Sequence, residues 1–84
     1  MRVVCVSREN ADYARGVREW LEGFRRQTGR EIEVLNPDEN VGFCKAYDIV
    51  EYPTILVVDE AGRVLASWQG TKMPLIDEVL YYML

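Results

Sequence analysis

The sequence predicts a single α/β domain, a mixed four-stranded sheet flanked by three helices in the order β-α-β-α-β-β-α. Three observations predict it. A continuous apolar run opens the chain, a long stretch of helical period follows it, and two β-rich runs further on bracket a glycine-containing turn. At 84 residues the chain buries about 60–65% of its unfolded surface, enough for one core and one domain spanning residues 1–84.

Residues 2–7 are rich in β-branched Val, the pattern of a central strand covered on both faces. Over residues 11–28 Ala14, Val17, Leu21 and Phe24 recur at three- and four-residue spacing, which predicts an amphipathic helix. Asn10 is its expected N-cap, Gly29 its left-handed stop, and Glu22 with Arg26 a favourable helical pair. Residues 31–35 alternate and then turn apolar, as a strand toward one sheet edge does. Asn36 as cap, Pro37 in first position and the acids Asp38 and Glu39 then start a short second helix running to about Asp48.

The runs Thr54 to Val58 and Arg63 to Trp68, joined through Asp59-Glu60-Ala61-Gly62, predict an antiparallel hairpin. Residues 73–84 place Leu75, Ile76, Val79, Leu80 and Met83 on one side, so a last helix closes the domain. A helix between the first two strands makes them parallel through a right-handed crossover, and the hairpin supplies the antiparallel half.

Ten Lys and Arg against 14 Asp and Glu give a net charge of -4, which argues against nucleic acid as a partner. The one basic spot, Arg25-Arg26 with Arg30, reads as a solvated helix end. The apolar run at Val3-Val4-Cys5-Val6 is too short for a membrane span or a signal-peptide core, so the expected location is the cytoplasm, where two cysteines remain thiols. A single core with an acidic surface implies a monomer. With no histidine and no paired Cys-x-x-Cys, no metal and no cofactor is expected.

From Asn36-Pro37-Asp38-Glu39-Asn40 through Ala46-Tyr47-Asp48-Ile49-Val50-Glu51-Tyr52-Pro53-Thr54 and the hairpin to Gly62-Arg63-Val64, the chain resembles the second half of thioredoxin. Val6-Ser7-Arg8-Glu9-Asn10-Ala11-Asp12-Tyr13-Ala14 is more similar to glutaredoxin, where a strand leads into Ser-Lys-Pro-Asn and then Cys-Pro-Tyr-Cys. The resemblance to the thioredoxin/glutaredoxin superfamily covers nearly the whole chain and implies a thioredoxin-like fold with a cis peptide before Pro53. It places Ala11 and Ala14 on the two redox cysteines, and Asp12 on the proline between them.

That superfamily exchanges thiols and disulfides. A thiolate at a helix start is stabilised by the free amides and the dipole there, and a second thiol one turn on resolves the mixed disulfide. Alanine supplies no nucleophile, so the chain as written is expected to be redox-inactive. The leading reading is a cytoplasmic thiol-disulfide oxidoreductase with its dithiol silenced at Ala11 and Ala14. Its rival is a natural non-catalytic module that recognises an extended peptide or a partner loop across Tyr13, Tyr52, Pro53 and Thr54. The expected partner is a disulfide-containing protein under the first reading and an extended peptide under the second. A weaker third is a structural domain without a ligand.

The resemblance implies a substrate groove built from Asp12, Tyr13, Tyr52, Pro53 and Thr54, with the Tyr52 backbone pairing with an extended partner. The plain alternative for both tyrosines is packing. Arg8 matches a basic residue that in glutaredoxins holds a glutathione carboxylate, whereas Gly70-Thr71-Lys72 departs from the pattern such sites carry. Cys5, six positions before Ala11, reads as a buried apolar residue, and Cys44 as an incidental thiol; a bridge between them is open. Trp20 and Trp68 read as core or half-buried aromatics.

Overall fold

A computed structural model describes residues 1–84. The chain runs through β1 (Arg2–Val6), α1 (Ala14–Thr28), β2 (Glu33–Leu35), a 3-10 turn (Pro37–Glu39), α2 (Val41–Ala46), β3 (Thr54–Val58), β4 (Val64–Gln69), α3 (Ile76–Leu80) and a second 3-10 turn (Tyr81–Met83). The strands form one sheet in the order β2-β1-β3-β4. β1 is parallel to β2, with Val6 opposite Leu35, and antiparallel to β3, with Val6 opposite Thr54.

Alternation along β1 feeds two cores. Val3 and Cys5 join Val17, Phe24, Ile55, Val57 and Val79 beneath α1 and α3, whereas Val4 and Val6 join Cys44, Ile49, Leu56 and Val58 beneath α2. β3 is buried at every position because it too is covered on both faces. Trp20 and Trp68 are half-buried against the first core, Trp20 donating its Nε1–H to the Pro74 carbonyl at 2.8 Å. The two cysteines are free and lie in the separate cores on opposite faces of the sheet, which rules out a bridge between them.

Three helix starts or ends differ from the sequence expectation, each for a local reason. α1 begins at Ala14 rather than Ala11, because the Ala14 N–H closes a turn on the Ala11 carbonyl at 3.0 Å. Asn10 therefore caps nothing; Tyr13 occupies the cap position, without a side-chain cap bond. α2 stops at Ala46: Asp48 turns left-handed with φ 56° and the Ile49 N–H returns to the Cys44 carbonyl at 2.8 Å. α3 begins only after Pro74, since the residue before a proline disfavours helix, and Glu78 Oε1 accepts the Leu75 N–H at 3.0 Å. On α1 the ion pair formed is Arg15 with Glu19, not Glu22 with Arg26.

Other expectations hold. Gly29 ends α1 with φ 71°, and the Asn36 side chain accepts the Asp38 N–H at 2.9 Å with Pro37 in first position. The hairpin turn is organised by Asp59, whose Oδ1 accepts the N–H groups of Ala61 and Arg63, both at 2.9 Å. No helix is long and apolar enough to cross a membrane. At the Arg2 end of the sheet Met1 and Leu84 line one shallow cleft.

Candidate functional site

The register gathers the C-terminal ends of β1, β2 and β4 and the N-terminal end of β3 at one end of the sheet, since Val6 faces both Leu35 and Thr54, and Thr54 faces Gln69. The loops that leave these ends carry Ser7 to Ala14, Asn36 to Asp38, Glu51 to Pro53, and Gly70.

Arg8 ties three of these loops together. Its Nη2 and Nε donate to Asp38 Oδ1 and Oδ2 at 3.0 and 3.2 Å, and its guanidinium lies 4.6 Å from the Tyr52 ring centroid. Its backbone N–H donates to the Tyr13 hydroxyl at 3.2 Å. Extending the β1–β3 register by two residues puts Arg8 opposite Tyr52. Because the Arg8 N–H is diverted to Tyr13, the pairing stops there, and the Tyr52 N–H and C=O take no part in backbone hydrogen bonding.

The Tyr52–Pro53 peptide is cis. The Pro53 carbonyl accepts the N–H of Gly70, at 2.9 Å, which closes the ladder on the β4 side. Gly70 has φ 93°, a left-handed conformation that favours glycine, and a Cβ there would stand 2.8 Å from Glu51 Oε2.

The predicted groove residues separate into two groups. Tyr13 and Tyr52 are half-buried and Asp12 is exposed, so these three present surface. Pro53 and Thr54 do not: both are fully buried, and the Thr54 hydroxyl donates to the Glu51 carbonyl. A proline between paired strands and a threonine facing the core lie beneath the groove rather than in its wall. Ala11 is half-buried and Ala14 is buried at the head of α1, where the N–H groups of Arg15 and Gly16 have no partner within the protein.

Cys5 does not reach this surface, whereas Cys44, 7% exposed, lines a cleft beside α2 together with Arg8, Asp38 and Tyr52. Cys5 is wholly buried, and burial pushes its thiol up to about 11, leaving it protonated at neutral pH. Cys44 is buried against the other face of the sheet.

Sequence reasoning placed Asp38 at a helix end and missed its bond to Arg8, because no local spacing links residues 30 positions apart. The Arg8 hydrogen bonds hold the Asp38 carboxyl below its ordinary value. We expect Asp38 to titrate below 3.8 by carboxyl NMR and to return toward that value in Arg8→Met. A lowered carboxyl contributes stability above its unfolded pKa and loses it as pH falls through the folded value. An unchanged Asp38 titration in Arg8→Met would show that the pair does not persist in solution.

No protein-family model and no curated protein matches the sequence. Solved structures do match the fold. Thioredoxin 1 from Thermosipho africanus is 14% identical with a TM-score of 0.68, over 99% of this chain and 90% of that one. The germline-specific thioredoxin Deadhead from Drosophila melanogaster is 17% identical with a TM-score of 0.69, over 96% and 75% of the two chains. A malarial protein is 13% identical with a TM-score of 0.69, over 96% and 90%. The chain has the thioredoxin-like fold.

Proposed function

We propose that this chain is a thioredoxin-fold binding module that recognises an extended peptide segment without dithiol chemistry. The observation that supports it most is the Tyr52 backbone, an unpaired donor and acceptor at the end of a buried ladder, flanked by the half-buried rings of Tyr13 and Tyr52. An incoming extended segment supplies the strand partner that Arg8 withholds, and the aromatic faces give it contact area. Alanine at positions 11 and 14 leaves no dithiol at the head of α1.

The test selects extended peptides by phage display and maps them on the 15N-labelled protein. Amide shifts are expected at Asp12, Tyr13, Tyr52 and Gly70, with binding weakened about tenfold in Tyr13→Ala and Tyr52→Ala. The protein is expected to show no turnover in insulin-disulfide reduction. Peptides that map elsewhere, or measurable turnover, would overturn this reading.

The silenced-oxidoreductase reading has one observation in its favour. The Ala11–Ala14 turn brings the two side-chain positions together at the start of a 15-residue helix, where a redox dithiol needs them. Under that reading the same groove binds the protein whose disulfide the thiols would exchange, in a cytoplasmic setting. The Arg8–Asp38 bond leaves Arg8 already neutralised, which disfavours a glutathione carboxylate there.

A further inference from the structure

The sheet has two open edges, β2 and β4, and they are built differently. β2 is three residues long and carries Glu33, which is bonded to Arg2. β4 is six residues long, Val64-Leu65-Ala66-Ser67-Trp68-Gln69, with no charge and no proline, although open strands are ordinarily interrupted by one or the other. Its irregularity lies at Val57 and Val58, the turn end, and leaves Ala66 to Gln69 in regular pairing with β3. The core beneath α2 takes no residue from β4, so on that face Val64 and Leu65 are 49% and 42% exposed, with Ser67 and Gln69 exposed beside them.

Alternation decides which backbone groups of this edge are free. The Gly70 N–H bonds the Pro53 carbonyl at 2.9 Å, and the register continues with Trp68 opposite Ile55 and Ala66 opposite Val57, so these residues turn their N–H and C=O toward β3. Those of Ser67 and Gln69 point away from the sheet, where no strand follows. Such an edge is complementary to its own copy. A twofold axis at Ser67 sets Ser67 opposite the same residue of a second chain, Leu65 opposite Gln69, and Ala66 opposite Trp68, so a small side chain meets the half-buried indole that packs on Tyr82. Charge fits the same crossing. Glu60 and Arg63, the latter bonded to Asp59, flank the turn end of β4, whereas Lys72 and Glu51, which lies against Gly70, flank the other end. Glu51, Glu60 and Lys72 are exposed and form no ion pair. An antiparallel crossing brings Glu60 and Arg63 of one chain to the end that holds Lys72 and Glu51 of the other; a parallel one sets each charge beside its own kind.

We propose that β4 is a homodimer interface, at which two copies of this chain join edge to edge and antiparallel into one continuous sheet. The net charge of -4 behind the expected monomer is carried outside β4, so it does not stand between the paired strands. Six residues span about 20 Å, a small contact, and the dimer therefore exchanges with monomer rather than being permanent. The crossing sends the two Tyr52 grooves to opposite ends of the joint sheet.

Sedimentation velocity of the full chain in about 0.15 M salt, from about 10 μM to about 1 mM, is expected to show a monomer–dimer equilibrium. Hydrogen exchange at the Ser67 and Gln69 amides is expected to slow as concentration rises, while Ala66 and Trp68, already bonded to β3, stay protected throughout. Ser67→Lys and Ser67→Glu each place like charges on the axis and are expected to weaken the dimer about tenfold or more, with amide spectra that remain folded; mixing the two variants is expected to restore it. A chain that stays monomeric to about 1 mM, a dimer indifferent to both substitutions, or a mixture that does not recover overturns the proposal. Exchange at Ser67 and Gln69 that is independent of concentration overturns it on the unsubstituted protein alone, whether or not the variants fold.

Discussion

Ala11→Cys combined with Ala14→Cys is expected to create a reversible disulfide in a protein that has none. The Ala14 N–H bonds the Ala11 carbonyl at 3.0 Å, so the four residues form a turn whose ends lie within about 7 Å, the outer limit a disulfide can span. The unpaired N–H groups of Arg15 and Gly16 face the turn from the head of α1 and stabilise a thiolate at position 11. Its pKa is expected to fall below the free value of about 8.5, while the buried thiol at position 14 stays higher. Asp12 sits between them and opposes the shift by placing a negative charge beside the thiolate. Thiolate absorbance against pH and a glutathione redox titration measure both effects. If the folded double variant forms no disulfide in mild oxidant, the turn is not shaped for dithiol chemistry, and only the binding reading survives.

Phe24→Ala is expected to be the most destabilising single change on α1. The ring is 1% exposed, packs in the core beneath α1 and α3, and stacks on Trp20 with centroids 5.4 Å apart. Truncating a buried phenylalanine costs about 3–5 kcal/mol through lost burial and the cavity left behind. A domain of this length has a total stability of roughly 4–13 kcal/mol, so the variant is either unfolded or melts more than about 12 °C lower. Chemical denaturation followed by tryptophan fluorescence reads the change. A loss under about 1 kcal/mol would mean that the core refills the space, and that α1 is anchored elsewhere.

The fold was legible wherever one local pattern decided an element. Val3 to Val6 could only be a strand covered on both faces, and the hairpin around Asp59 and Gly62 announced itself through turn chemistry. Boundaries were less legible where a single backbone bond outweighed a helical pattern, as at Ala11 and Asp48. Within the site, the positions of Ala11, Ala14, Tyr13 and Tyr52 were readable because a continuous motif carries them. The burial of Thr54 and the Arg8–Asp38 pair were not, because each depends on strand register or on residues far apart in the chain.

Met1 and Leu84 share a cleft at the far end of the sheet from Tyr52, a separation set by β1 running from Arg2 opposite Val58 to Val6 opposite Thr54. Both termini therefore serve as tethering points. A surface, a fluorophore or a neighbouring domain joined at either one leaves the Tyr52 groove clear. Joining the two through a short linker and reopening the chain at the Asp59–Gly62 turn would give a circular permutant with its new ends still remote from the Tyr13 and Tyr52 rings.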